Sequence, residues 1–402
     1  MDRIIQRIEE ALHIQEKVDA LIEYVTQDFR FSNGKPVAAL TIYKYLLHWK
    51  YLEAERATVF ERLIKIFNSA VEDEDDNHRM AYSLSNACNL LFLIQESSST
   101  IRKPPPPTSM LGRMIMAVRS SSHEAHVEAN ARLKVSQLVE VKIPALHFMQ
   151  LLTEHVEKVY GIIGDNFKKE LVSLVPLCIQ VPPTSKSEPT FNRWQLIVDL
   201  LNNLLNTMKE NFVPPIIVQK IFAQLFSFIN VQLFASLLWR PECCTFCNME
   251  YVKAGLAKLE IWCFAKDEYA GTALDELKHI RKDVGLLTIY EKHKTSYKHI
   301  TNNICNIQRL QAFRIRNKSS NPIYNDQHIS QDVISSATIL IDSDHARINF
   351  FPLNNNLSIP FSVDDLSISM KVEDFANVKP TKELTKYPAF HFCTTKAWNI
   401  TY

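Results

Sequence analysis

Glycine is scarce in this sequence, with 7 in 402 residues. Tight hairpin turns and phosphate-binding loops both depend on glycine, because glycine adopts positive φ without strain and lets a backbone approach a ligand closely. The nucleotide-binding strings G-x-x-x-x-G-K-[ST] and G-x-G-x-x-G do not occur. We therefore expect an all-α fold and exclude a nucleotide-binding loop of either type.

The sequence also lacks an excess of charge of either sign, since its formal net charge is +1. No global electrostatic attraction to nucleic acid or to anionic lipid follows from such a balance. Apolar residues make up 46% and charged residues 22%, which is typical of a water-soluble globular chain. We expect no nucleic-acid partner, and we expect any membrane association to be indirect.

A disulfide framework and a secretion signal are both missing. The eight cysteines show no paired spacing, and the first thirteen residues, MDRIIQRIEEALH, contain no apolar core of a signal peptide. We therefore predict a reduced, cytoplasmic compartment. Cys243, Cys244 and Cys247, with Cys263 further on, suggest zinc through one C-x-x-C, but a structural zinc site usually needs a second short pair. We predict no metal.

Catalytic patterns are absent as well. No G-x-S-x-G elbow occurs, and no serine or cysteine has a recognisable base partner. The acidic cluster at 72–76 resembles a D-D-x-x-D magnesium motif only superficially, and a solvated loop is the simpler interpretation. His48 and His147 lie in apolar helices and are predicted to be packing residues. We predict no enzyme activity and no cofactor.

The first 22 residues form a charged helix with a weak heptad pattern. The seam is Ile4, Ile8, Ala11, Gln15, Val18 and Ile22. This segment is either the end of a dimerising coiled coil, through which the chain forms a homodimer, or an amphipathic helix that docks on its own domain. The sequence alone favours neither alternative.

A long apolar helix is predicted near 213–239, where Pro214 and Pro215 suit the first turn. Polar residues recur through it, so no 18-residue window is free of them. It is therefore better read as the central helix of a soluble core than as a membrane span. Two breaks precede it: a Pro/Ser-rich exposed loop at 97–122, and the segment 181–190.

Three segments of this region resemble the dilute (DIL) domain in the globular tails of class V and plant class XI myosins: 213–244, 250–263 and 275–287. Residues 25–56, 83–95 and 358–370 resemble other parts of the same tails. The resemblance implies an elongated body of two helical-bundle subdomains with a long central helix joining them. It places subdomain 1 at 23–190, the DIL domain at 191–345 and a C-terminal wrapping segment at 346–402.

The resemblance also implies a function in cargo binding. Such tails dock on Rab-type GTPases or other receptors of vesicles and organelles for actin-based transport, so this chain would lie on those membranes peripherally. We expect one contact surface on the basic helices of the DIL domain, formed by Arg240, Tyr251, Lys253, Lys278, Arg281 and Lys282. Plant tails usually carry two arginines where this chain has Arg240-Pro241.

Two other functions remain open. The ATPase head, the IQ motifs and the long coiled coil of a full myosin do not occur within the 402 residues. The chain could thus be a motor-less vesicle-tethering or adaptor protein that competes with full-length myosins. A helical enzyme would instead need a polar, acid-lined cavity within the bundle. The solvated face of an ordinary helix is also an alternative to the predicted contact surface.

Overall fold

The computed structural model divides the chain into two compact units. Unit 1 comprises residues 1–160, 211–214 and 361–402, and unit 2 comprises 161–210 and 215–360. Within them, the structure describes residues 2–27, 31–53, 58–69, 71–102, 124–182, 193–240, 243, 245–288, 361–376, 378 and 384–394. The predicted subdomain boundary at 190 stays a prediction.

The described part of the chain is almost entirely helical, which confirms the all-α prediction. Its α-helices are α1 Asp2–Gln27, α2 Val37–His48, α3 Thr58–Ser69, α4 Asn77–Arg102, α5 Glu124–Leu174, α6 Arg193–Glu210, α7 Pro215–Trp239, α8 Phe246–Ala265, α9 Asp267–Ala270, α10 Lys278–Leu287 and α11 Leu366–Ser369. Two short strands, β1 Phe31–Ser32 and β2 Lys35–Pro36, pair antiparallel. Short 3-10 helices include Tyr51–Glu53, Val175–Cys178, Ala273–Leu277 and Leu384–Lys386.

The hairpin before α2 shows why its turn carries Asn33 and Gly34. Both have positive φ, 51° and 72° respectively, which these residue types tolerate better than others do. A Cβ atom on Gly34 would lie 3.1 Å from the Phe212 ring, so the turn also needs the small residue sterically. Pro36 then precedes the first residue of α2, as the sequence predicts.

Helix α4 is the centre of unit 1, and every residue from 80 to 94 is buried. Several of its buried polar side chains form hydrogen bonds, which offset the cost of burial. The Asn86 Oδ1 accepts a hydrogen bond of 3.0 Å from the Ala39 amide, and Ser83 Oγ lies 2.9 Å from His155 Nε2. Helix α4 therefore lies inside unit 1 over residues 80–94.

The second half of α1 docks on unit 1. Val18, Leu21 and Tyr24 are buried, whereas Gln15 of the predicted heptad seam is exposed. The Lys17 ammonium lies 3.6 Å from the centroid of the Trp49 ring. The docked-helix interpretation therefore applies to this half. The coiled-coil interpretation depends on earlier residues whose side chains lie outside the described ones, and it stays a prediction.

Helix α7 forms the core of unit 2. Judged by length and composition alone, this helix could cross a membrane. However, 72% of its most apolar window is buried within the protein. Phe222, Phe226 and Ile229 are completely buried. The sequence predicted that this helix joins two subdomains. In the structure this helix belongs to unit 2, and its role as a link between subdomains stays a prediction.

Several predicted features lie outside the described residues. The predicted break at 97–122 starts later than expected, since α4 continues to Arg102, and residues 103–123 are not described. Most of the predicted break at 181–190 also lies outside the described residues, because residues 183–192 are not described. Residues 289–360 are not described either. The predicted wrapping segment is described only in part.

Candidate functional site

The predicted contact surface is built on helices α8 and α10 of unit 2. Thr245 caps α8, its side chain accepting a hydrogen bond of 3.3 Å from the Asn248 amide. One side of α8 is held on α6, where Trp262 Nε1 donates to Asn202 Oδ1 at 2.9 Å. Gly255 of α8 lies directly against α6. The arrangement fixes which face of α8 is left for other contacts.

Helix α10 is held by a polar contact at its beginning and by apolar contacts along one face. The Asn230 side chain on α7 accepts a hydrogen bond of 3.2 Å from the Ile280 amide, which is one of the unpaired N–H groups of the first turn. Ile280 and Val284 are buried. Lys278 and Lys282 are exposed, and no ion pair is found for either among the described residues.

Arg281 connects the two helices through a salt bridge to Glu260, with 2.7 Å between Nη2 and Oε1. Its side chain is about one-third exposed. Because this guanidinium is already paired, Arg281 contributes to the structure of the surface as well as to its charge. Of the six predicted residues, Lys278, Arg281 and Lys282 share one helix, and the salt bridge brings Arg281 against α8.

The other three predicted residues differ in their accessibility. Lys253 is exposed on α8 and forms an ion pair of 3.4 Å with Glu250. Tyr251 is half-buried with its hydroxyl enclosed, and burial raises the pKa of this hydroxyl. Arg240 follows the last residue of α7 and is half-buried. Tyr251 is thus only partly accessible to a partner, and Pro241 lies outside the described residues.

Burial dominates the electrostatics of α10. It raises the pKa of the Asp283 carboxyl to about 7, although the neighbouring Lys282 acts in the opposite direction. Burial also lowers the pKa of His279, and the charges of Lys278 and Lys282 lower it further. At neutral pH the exposed face of this helix therefore owes its charge to lysine and arginine.

Metal ligands and histidines do not gather near this surface. Cys243 and Cys263 are buried and Cys247 is exposed, and within the described ranges no group of three metal-binding side chains occurs. His48 and His147, which were predicted to be packing residues, are both exposed. The His48 ring nevertheless packs on Phe392, with 4.0 Å between the ring centroids. Among the histidines whose side chains the structure describes, His155 in unit 1 is buried, at 3% exposure.

The sequence interpretation missed an apolar feature on α8. Ile261 and Phe264 are 66% and 69% exposed, whereas Trp262 and Cys263 between them are buried. A run of four apolar residues gives no sign of which two face the solvent. The only signal was the spacing of three and four residues that relates Ala254, Ala257 and Ile261.

Comparisons with known proteins agree with this fold. A sequence profile of the DIL domain matches residues 220–319, inside the predicted segment 191–345. Myosin-8 of Arabidopsis thaliana is 48% identical over 399 residues, which cover 94% of this chain and 26% of that protein. The chain thus spans about a quarter of the length of this relative.

Solved structures show the same fold. The yeast myosin 5 cargo binding domain has a TM-score of 0.60 and 13% identity, covering 94% of this chain and 95% of that one. Myo2-GTD, solved in complex with Inp2, has a TM-score of 0.59 and 12% identity, covering 92% and 93%. At such low sequence identities, the similarity to these structures shows a common fold and nothing further.

Proposed function

We propose that this chain, which has the sequence of a plant myosin tail region with a DIL domain and the fold of a myosin V cargo binding domain, binds cargo for actin-based transport. The observation that carries the proposal is the similarity to Myosin-8 over 94% of the chain. The solved complex of Myo2-GTD with Inp2 supports it, because there a tail of this fold binds a second protein.

The proposed mechanism is surface complementarity, with no bond made or broken. Lys278 and Lys282 are exposed on one side of α10, and Lys253 is exposed on the adjoining α8. Exposed cations of this kind accelerate and orient the docking of an acidic partner. The partner class that we propose is a Rab-type GTPase or another receptor on a vesicle or organelle. The chain would then be cytoplasmic and peripheral on those membranes.

The test is a pull-down of membrane GTPases loaded with GTP or GDP. The variant is Lys278→Glu combined with Lys282→Glu, since neither lysine has an ion-pair partner among the described residues. We expect GTP-dependent capture by the wild-type chain and at least a roughly tenfold loss in the variant, because like charges then oppose each other. Arg281→Glu is a separate variant, because it also breaks the salt bridge to Glu260.

The matched control reverses two exposed lysines of unit 1, Lys65→Glu with Lys386→Glu, and so changes the net charge equally. It is expected to bind as the wild type does. Equal binding by both double variants would discard the α10 surface. Binding of tethering subunits without any affinity for GTPases would favour the alternative of a motor-less tether.

A further inference from the structure

One face of α8 carries an exposed, mainly apolar row along nearly its whole length. We call it the α8 stripe, and it consists of Cys247, Glu250, Ala254, Ala257, Ile261 and Phe264. The spacing of three, four, three, four and three residues aligns them on one side of the helix. All are exposed except Glu250, which is half-buried. Large apolar side chains exposed together indicate a contact surface.

The stripe is the face of α8 that the described residues of unit 2 leave uncovered. Leu256 and Leu259 point into the unit and are buried. Trp262 contacts α6 through its hydrogen bond to Asn202, and Glu260 contacts α10 through Arg281. These contacts hold α8 on its remaining sides, so the stripe is presented on a fixed support.

The dimensions of the stripe suit one helix of a partner. From its first to its last residue it extends about 26 Å, at 1.5 Å per helical residue. The alanines at 254 and 257 occupy its middle, and small side chains at a crossing allow two helix axes to approach to roughly 8 Å. Ile261 and Phe264 then supply the large apolar contacts toward one end.

The charges beside the stripe favour an acidic partner. Helices α8 and α10 contain five basic residues: Lys253, Lys258, Lys278, Arg281 and Lys282. They contain three acidic residues, of which two are paired with Lys253 and Arg281 and the third is buried. Further acidic residues lie just outside the two helices, since Asp267 and Glu268 follow the end of α8 and Asp275 and Glu276 precede α10. On the two helices themselves, the charge that has no ion-pair partner among the described residues is positive.

A second copy of this chain fits the stripe poorly. Antiparallel pairing of two α8 helices about the middle of the stripe would place Lys253 of one copy opposite Lys258 of the other. A strip of about 26 Å by 10 Å also offers roughly 260 Å², well below the roughly 800 Å² per partner of a standard interface.

We propose that the α8 stripe docks an acidic amphipathic helix of a cargo receptor. The inference rests on the proposed cargo-binding function and specifies one of its contacts. The partner helix places apolar residues on the row from Ala254 to Phe264 and its carboxylates toward Lys253, Lys258 and the lysines of α10. This is the helix-on-surface mode of recognition, with apolar anchors spaced three and four residues apart.

The test measures binding of synthetic peptides to the full chain by fluorescence anisotropy. One peptide has about three heptads with leucine on one face and glutamate on both flanks, and its twin carries lysine in place of glutamate. We expect the acidic peptide to bind and the basic one not to bind. Ile261→Asn combined with Phe264→Asn is expected to weaken the acidic peptide at least tenfold, because both anchors are lost.

The matched control replaces two equally exposed apolar residues elsewhere, Val172→Asn with Ile368→Asn, which are 54% and 74% exposed. It is expected to bind the acidic peptide as the wild type does. Equal binding by the stripe variant, or equal binding of the two peptides, would overturn the proposal. So would a dimer in solution that only the stripe variant disrupts, since a second copy would then cover the stripe.

Residues 289–360 of the chain itself are a further occupant to test. If they cover the stripe, Ile261→Asn with Phe264→Asn will lower the thermal stability of the free chain far more than the control does, and the proposal fails. A failure of the proposed cargo-binding function can be told apart from a failure of the stripe proposal. The cargo-binding function is tested separately, by binding of the wild-type chain to organelle membranes. Membrane binding that persists while the acidic peptide does not bind would reject the stripe alone.

Discussion

At the residue scale, the most consequential ionisable group of unit 2 is Asp283. Its side chain lies in the interior at 6% exposure, and burial raises its pKa from 3.8 to about 7. The folded state therefore holds a proton, between these pH values, that the unfolded state has released. Stability from this group is fully present below the unfolded pKa and is lost as pH rises through the folded pKa.

Asp283→Asn is predicted to remove this dependence, because the amide is neutral at every pH. Relative to the wild type, the variant should have a similar free energy of unfolding at about pH 4 and a higher one at about pH 8, by up to roughly 4 kcal/mol. Urea unfolding across this range measures the difference. A variant that is less stable than the wild type by the same amount at both pH values would contradict the prediction.

His155, the buried histidine of unit 1, makes stability depend on pH in the opposite direction to Asp283. The effect of Asp283 is therefore seen by comparing the variant with the wild type at each pH. Burial, together with the smaller effect of the Lys158 charge, lowers the pKa of His155 to about 4. The unfolded state then binds the extra proton, so stability from this group is present above its unfolded pKa of about 6.5 and is lost as pH falls toward 4. Subtracting the wild-type profile from that of Asp283→Asn cancels this contribution.

At the element scale, the packing of α8 on α6 depends on one glycine. A Cβ atom on Gly255 would lie 2.0 Å from the Trp194 indole, too close for any real contact. Trp194 is 1% exposed, and its Nε1 donates to the Cys178 carbonyl oxygen at 3.1 Å, so the ring has little freedom to move. This close approach supports the exposed stripe on the other side of α8.

Gly255→Ala is therefore predicted to destabilise unit 2, although alanine favours a helix over glycine by about 1 kcal/mol. Overpacking against the indole should outweigh that gain and lower the free energy of unfolding by roughly 1–3 kcal/mol. Gly285→Ala on α10 is the matched control, since nothing lies within 4 Å of its Cβ position. The control should gain up to about 1 kcal/mol. Thermal unfolding that ranks the two variants in the reverse order would refute the packing argument.

Local sequence signals predicted some elements well and others poorly. The turn at Asn33-Gly34 and the helix after Pro36 were predictable, because the required backbone geometry restricts the residue types. The buried α4 and α7 were predictable from apolar residues on nearly every side. The exposure of Ile261 and Phe264 was not, because it depends on which side of α8 contacts α6 and α10.

At the scale of the whole molecule, the fold was predictable through long, ordered motifs rather than through composition. Few glycines and balanced charge indicated an all-helical soluble protein, but many folds meet those conditions. The segments from 213 to 287 carried the specific resemblance, and a DIL profile matches residues 220–319. The contact surface was only partly predictable, since the pairing of Arg281 with Glu260 and the enclosed hydroxyl of Tyr251 arise from tertiary packing.

We propose that this chain binds protein receptors on membranes through its exterior. The most direct measurement is co-flotation of the purified chain with organelle membranes, with protease-treated organelles, and with protein-free liposomes of the same lipids. The account predicts binding to untreated organelles that is lost after protease treatment and absent with liposomes. Equal binding to liposomes, or no binding to any of the three, would contradict it.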